Sequence, residues 1–179
     1  KVALGSTISE PNAEYRDKYG YEFQGWHVGD ASGKEWDFAT DVITEDLTLF
    51  AVYNAKQLTI TFKMQSGVDA SIGGIKPENT IFCEFDQVLT AEQLAVVCPS
   101  EEYRFVEWQY GGVRVGEYEY DKEDTEYKFP VFVGLKIDRL EYGSSTIEAI
   151  MQRQYRVTLV SNESESTDIF VDEGNTLNA

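Results

Sequence analysis

The sequence predicts an α+β chain that is mostly β, assembled from repeated units with short helical or looped crossovers. Three observations carry this prediction. Apolar residues alternate with polar ones at period 2 in several runs, helical periodicity is confined to one short stretch, and several motifs recur in the same order along the chain.

The elements follow in order. Tyr21 and Phe23 share one face of a strand, and Trp26 lies just past Gly25, where a glycine permits a bulge or a close backbone approach. Glu45-Asp46 reads as a tight turn before residues 48–53, which are apolar on both faces, as in a strand covered on both sides. Leu58, Ile60 and Phe62 alternate with Thr59 and Thr61. Thr90-Ala91-Glu92-Gln93 is a capping box ahead of Leu94 and Val97, and predicts a helix of about two turns, too short to stand alone. Glu117-Tyr118-Glu119-Tyr120-Asp121 alternates strictly, with acids on one face and tyrosines on the other. Phe129-Pro130-Val131-Phe132-Val133 reads as an extra strand whose proline favours a sheet edge. Tyr155, Val157 and Leu159 alternate with Arg156 and Thr158.

Composition narrows the function. A chain of 179 residues makes one or two domains, and 42% apolar residues can build a core. The net charge of −17 repels phosphate backbones and anionic surfaces, which argues against nucleic-acid partners. No apolar run approaches the ~18 residues of a membrane span. The chain opens mid-pattern, as a piece of a longer protein would. Cys83 and Cys98 either form a bridge, for which loop entropy gives roughly 3 kcal/mol, or are two small buried thiols; C-x-x-C spacing is absent. The single histidine, His27, reads as a surface position beside a core tryptophan.

The recurrences define a unit. Tyr21-Glu22-Phe23-Gln24-Gly25-Trp26 matches Tyr103-Arg104-Phe105-Val106-Glu107-Trp108 at an offset of 82 residues, which also sets Trp36-Asp37-Phe38 on Tyr118-Glu119-Tyr120. Thr48-Leu49-Phe50-Ala51-Val52 matches Thr146-Ile147-Glu148-Ala149-Ile150 at an offset of 98, so 16 residues are inserted between Tyr120 and Thr146. Gln57-Leu58-Thr59-Ile60-Thr61 matches Gln154-Tyr155-Arg156-Val157-Thr158, and Gly174-Asn175-Thr176-Leu177 matches Gly5-Ser6-Thr7-Ile8. The reading is a unit over 1–55 without its first strand, a unit over 56–153 with an insertion near 121–145, and the opening hairpin of a third over 154–179.

Gly20-Tyr21-Glu22-Phe23-Gln24-Gly25-Trp26, Trp36-Asp37-Phe38-Ala39-Thr40 and residues 43–51 together resemble the Listeria–Bacteroides repeat, the B repeat of internalin-type bacterial surface proteins. Residues 155–177 resemble the opening hairpin of that repeat. The middle unit departs from the pattern: Glu107 replaces the glycine before tryptophan, Tyr118-Glu119-Tyr120 replaces W-D-F, and 16 residues are inserted. The resemblance implies tandem β-grasp-like domains, an extracellular setting, and a stalk, spacer or adhesion role without catalysis.

Tyr21, Phe23, Trp26, Trp36, Phe38 and Trp108 read as the aromatic core of the motif rather than a sugar-stacking platform. Asp37, between two such aromatics, faces the other way and caps a turn or meets solvent. Tyr118, Tyr120, Tyr127 and Phe129, in and beside the insertion, are the candidate binding surface. The dense acids through Glu126 read as a solvated face, because no EF-hand spacing is present and strand alternation spreads carboxylates outward. No nucleophile elbow, metalloprotease helix or phosphate loop occurs, so no cofactor, metal or catalytic residue is assigned. The expected partner is a protein or glycan on a host or neighbouring cell. One alternative is a subunit that polymerises by donating residues 155–177 to an open strand edge. A lesser one is a fragment of a carbohydrate-active enzyme with a carboxylate pair.

Overall fold

The structure, a computed structural model, describes residues 2–72, 79–98, 100–120, 130–160 and 166–175. It holds strands β1 (Tyr21–Val28), β2 (Leu49–Ala55), β3 (Gln57–Met64), β4 (Ser71–Ile72), β5 (Asn79–Glu84), β6 (Val88–Thr90) and β7 (Val96–Val97). These are followed by β8 (Tyr103–Tyr110), β9 (Val113–Val115), β10 (Glu117–Tyr120), β11 (Pro130–Lys136), β12 (Thr146–Val160) and β13 (Ser166–Asp172). The fold is mostly β. Among the described residues the helical elements are two short 3-10 turns, and no helix is long and apolar enough to cross a membrane. The chain divides into two compact units, Lys1–Gln57 with Glu84–Asp86, and Leu58–Cys83 with Gln87–Ala179.

In the first unit β1 and β2 form a two-stranded antiparallel sheet, with Trp26 opposite Ala51 and a bulge between Phe23 and Gly25. The one-residue bulge changes the parity of β1. Phe23 and Trp26, three residues apart, therefore come to one face and meet ring edge to face at 5.9 Å. Gly25 sits at φ 138°, and a Cβ there would lie 2.7 Å from a Glu35 carboxylate oxygen. The loop returns to the sheet where the Trp36 N–H donates to the Trp26 carbonyl at 2.6 Å. Asp37 then closes a turn, accepting the Ala39 N–H at 2.9 Å and the Thr40 hydroxyl at 2.8 Å. His27 is half-buried, with Nδ1 2.8 Å from the Gly33 carbonyl oxygen.

The second unit is built on a sheet of order β5-β3-β12-β8-β9, with β13 also paired to β12. Leu58, Ile60, Phe62 and Met64 of β3 are all buried, as their alternation predicts. β3 runs parallel to β12, with Thr61 opposite Thr146, Phe62 opposite Ile147, Lys63 opposite Glu148 and Met64 opposite Ala149. Phe62 packs edge-to-face on Trp108 at 5.2 Å, and both are fully buried. β10-β11-β6 and β4-β7 make two smaller sheets.

The β1–β2 and β8–β12 ladders have the same register. Shifted by 82 and 98 residues, Tyr21–Ala55 falls on Tyr103–Arg153, Trp26–Ala51 on Trp108–Ala149, and Val28–Leu49 on Tyr110–Ile147. Each ladder gains one residue at the same place, Gln24 in the first and Val106 in the second. The ladders differ on the far side. β12 has β3 as a second neighbour, whereas β2 pairs only with β1 among the described residues.

Several expectations are corrected. The capping box at Thr90 closes on both sides, at 2.9 and 3.2 Å, but supports a single turn. Val96 and Val97 then pair with Ile72 and Ser71 as a strand, the conformation β-branched residues favour. The short helix is therefore absent. Residues 48–53 are not covered on both faces, since Phe50 is 45% exposed. β11 is central in its sheet, not an edge strand: Pro130 is its first residue, where the missing N–H costs no interior ladder bond. Cys83 and Cys98 are free thiols, the first buried and the second half-buried.

The Phe62–Trp108 contact ties β3 to the bulged ladder. Phe62→Ala should destabilise the second unit by about 3–5 kcal/mol, read from denaturant unfolding followed by tryptophan fluorescence.

Candidate interaction surfaces

Of the four sequence-predicted surface residues, two lie among the described residues, Tyr118 and Tyr120, and they differ in exposure. Tyr118 is half-buried: its hydroxyl accepts the Trp108 backbone N–H at 2.8 Å, its ring meets Phe132 at 5.4 Å, and the Arg114 guanidinium lies 4.0 Å from the ring centre. Burial raises the phenol above its ordinary pKa. Tyr120 is 55% exposed at the last position of β10, opposite Pro130. Tyr127 and Phe129 lie outside the described residues, as does the acidic run after Tyr120. Among the described residues no group of three His, Cys, Asp or Glu could hold a metal ion.

The core aromatics are placed unequally. Trp108 is fully buried and Trp36 is 9% exposed, while Tyr21, Phe23, Trp26 and Phe38 are half-buried. Tyr21 rests against Phe85 at 5.5 Å, with the Lys18 ammonium 3.7 Å from its ring centre, and its hydroxyl donates to Asp86 at 2.5 Å. That bond to a carboxylate raises the Tyr21 pKa.

Phe23, Trp26, Trp36 and Phe38 line an open groove of about 650 Å³ in the first unit, together with Glu10 and Glu35. The bulge supplies the first two rings, and the Asp37 turn supplies the last two. Trp26 and Trp36 keep buried indole N–H groups that find no acceptor among the described residues. The corresponding cradle in the second unit, around Phe105 and Tyr118, is filled by Phe132 of β11, at 6.3 and 5.4 Å between ring centres. Phe132 belongs to the insertion, and among the described residues none takes its place in the first unit. Sequence reasoning missed this groove. The signal was present, because the motif aromatics recur at a fixed offset and the inserted strand occurs once.

In the second unit a smaller hollow of about 350 Å³ is lined by Val96, Cys98, Tyr103, Arg104 and Phe170. Burial raises the Cys98 thiol pKa, which opposes a reactive thiolate. Arg104 grips Asp172 through two bonds of 2.9 and 2.5 Å, pinning β13 against β8. The Arg104 guanidinium holds the Asp172 carboxyl below its ordinary pKa, with help from Gln154.

Residues 1–52 match the Listeria-Bacteroides repeat domain, the family that residues 20–26, 36–40 and 43–51 resemble. Two proteins of Evansella cellulosilytica are similar to the chain. They carry the provisional names membrane protein and Gly-rich membrane protein. Each is 32% identical over 76 residues, covering 37% of this chain and 11% and 9% of the relatives. The chain thus spans about a tenth of these relatives' length. No solved structure matches it.

The Arg104–Asp172 pair gives a pH signature. A lowered carboxyl pKa contributes stability that is complete above the unfolded value of about 4 and is lost as pH falls through the folded value. The protection factors of β13 amides, corrected for the intrinsic slowing of exchange at low pH, should therefore fall on acidification. Asp172→Asn should weaken β13 at neutral pH by about 1.5–3 kcal/mol and flatten that acid response.

Proposed function

We propose that this chain is a non-catalytic, tandemly repeated module of a bacterial surface protein, standing outside the cell as an adhesion or spacer segment. The observation that carries the reading is the match of residues 1–52 to the Listeria-Bacteroides repeat domain. The recurrence of the same bulged ladder in the second unit supports extending the repeat reading beyond residue 52. The strong acidity keeps such a segment soluble and apart from nucleic acid. In this reading each unit is β-grasp-like, with turns and short strands in place of a crossover helix.

The contact surface is the aromatic groove of the first unit. A protein partner fits it better than a glycan, because the equivalent cradle of the second unit is built to take a phenylalanine side chain. Binding of one such side chain is weak, and repetition along an array supplies avidity.

Two measurements test this. Antibodies against residues 1–179 should label intact cells of the source bacterium; labelling only after permeabilisation would contradict an external location. The chain displayed as a tetramer should capture proteins from host or envelope fractions. Phe38→Ser, at a half-buried groove wall, should cut that capture at least tenfold. Capture confined to a glycan array would replace the protein partner with a sugar.

A further inference from the structure

We propose that the beginning of the outer edge of β2, with Thr48 just before it, is a strand acceptor, filled in parallel by residues 158–160 of a second copy of this chain. The template is inside the molecule. In the second unit the edge of β12 that corresponds to the outer edge of β2 carries β3 in parallel. Residues 57–61 match residues 154–158. Transferring the β3–β12 register through that match and the 98-residue offset sets Thr158 against Thr48, Leu159 against Leu49, and Val160 against Phe50.

Both sides of this joint are ready for it. Residues 154–160 pair with β13 along one edge; on the other, the Gln154 N–H meets the Glu102 carbonyl at 2.7 Å, and residues 155–160 pair with no described strand. Leu159 and Val160 are 50% and 72% exposed, and Phe50 is 45% exposed. An edge strand presenting free backbone groups beside apolar side chains is a template for pairing. The side-chain chemistry also changes in the direction of burial. In the internal joint Lys63 meets Glu148 as an ion pair at 3.6 Å. In the proposed joint the equivalent positions are Val160 and Phe50, two apolar residues that water now covers. Leu159 takes the place of Phe62, the residue that buries Trp108, and so brings an aliphatic cover to the half-buried Trp26.

Each copy carries one donor and one acceptor, so association is reciprocal in a closed dimer or head-to-tail in a chain. The inference rests on the repeat reading above, but its readout is separate. Failure of surface labelling leaves the solution mass unmoved, and an unvarying mass leaves the labelling unmoved.

Light scattering on size-fractionated residues 1–179 should give a mass that climbs from 20.3 kDa with concentration, reaching twice that value or more. Leu159→Asp and Phe50→Asp change exposed residues and should each remain at 20.3 kDa with unfolding curves unchanged. Mixed, they should form a one-to-one complex and stop there, because one variant keeps its acceptor and the other its donor. Parallel neighbours lie about 4.8 Å apart, within disulfide reach. Thr48→Cys with Thr158→Cys, in a Cys98→Ser background, should therefore give an oxidised dimer. Thr48→Cys with Arg156→Cys should not. A mass fixed at 20.3 kDa at every concentration would overturn the proposal. So would self-association that both aspartate variants retain.

Discussion

The structure depends on one extra residue in a strand. Without the bulge at Gln24, Phe23 and Trp26 would fall on opposite faces of β1, because side chains alternate along an extended chain. With it, both rings reach the same side and a two-stranded ribbon acquires an aromatic face. The same device at Val106 brings Phe105 and Trp108 together at 5.4 Å. Gly25 lets Glu35 approach the bulge closely in the first unit. The second unit has Glu107 there instead, tied to Arg114 at 3.1 Å.

What the two units do with this face differs. In the second it is closed twice: β3 brings Phe62 onto Trp108, and β11 brings Phe132 against Phe105 and Tyr118. In the first, the corresponding aromatic cradle is an open groove, and β2 has one strand neighbour among the described residues. The second unit thus supplies the template for the proposed occupants of the first: an aromatic side chain in the groove and a parallel strand along the edge. Burial of apolar surface is the dominant favourable term in folding and in most protein association, and it is the driving force on which the proposed contacts rely.

Much of this was legible in the residues. The alternation of β3, the glycine-marked irregularity before Trp26 and the turn at Asp37 all follow from local chemistry, and the fixed offsets anticipate the shared register. Other features depend on neighbours distant in sequence. Parity tells which residues share a face but not whether a strand lies beside them, so the exposure of Phe50 and the central place of β11 were not readable. The capping box at Thr90 is a correct local signal, yet its helix gives way to the pairing of Val96 and Val97 with β4. Tyr118 and Tyr120 look alike in an alternating run. Contacts with Trp108 and Phe132 draw only Tyr118 inward.

The central claim is that one ladder is shared by both units while its far edge is filled in one and open in the other. Residue-resolved amide hydrogen exchange on dilute protein tests it directly. The account predicts that β12 amides over 146–149 are slow at every position, because both edges of that segment are paired. In β2, slow amides facing β1 should alternate with fast ones on the outer edge. Uniformly slow exchange along β2 in dilute solution would contradict the account, since the edge would then already be covered within a single chain.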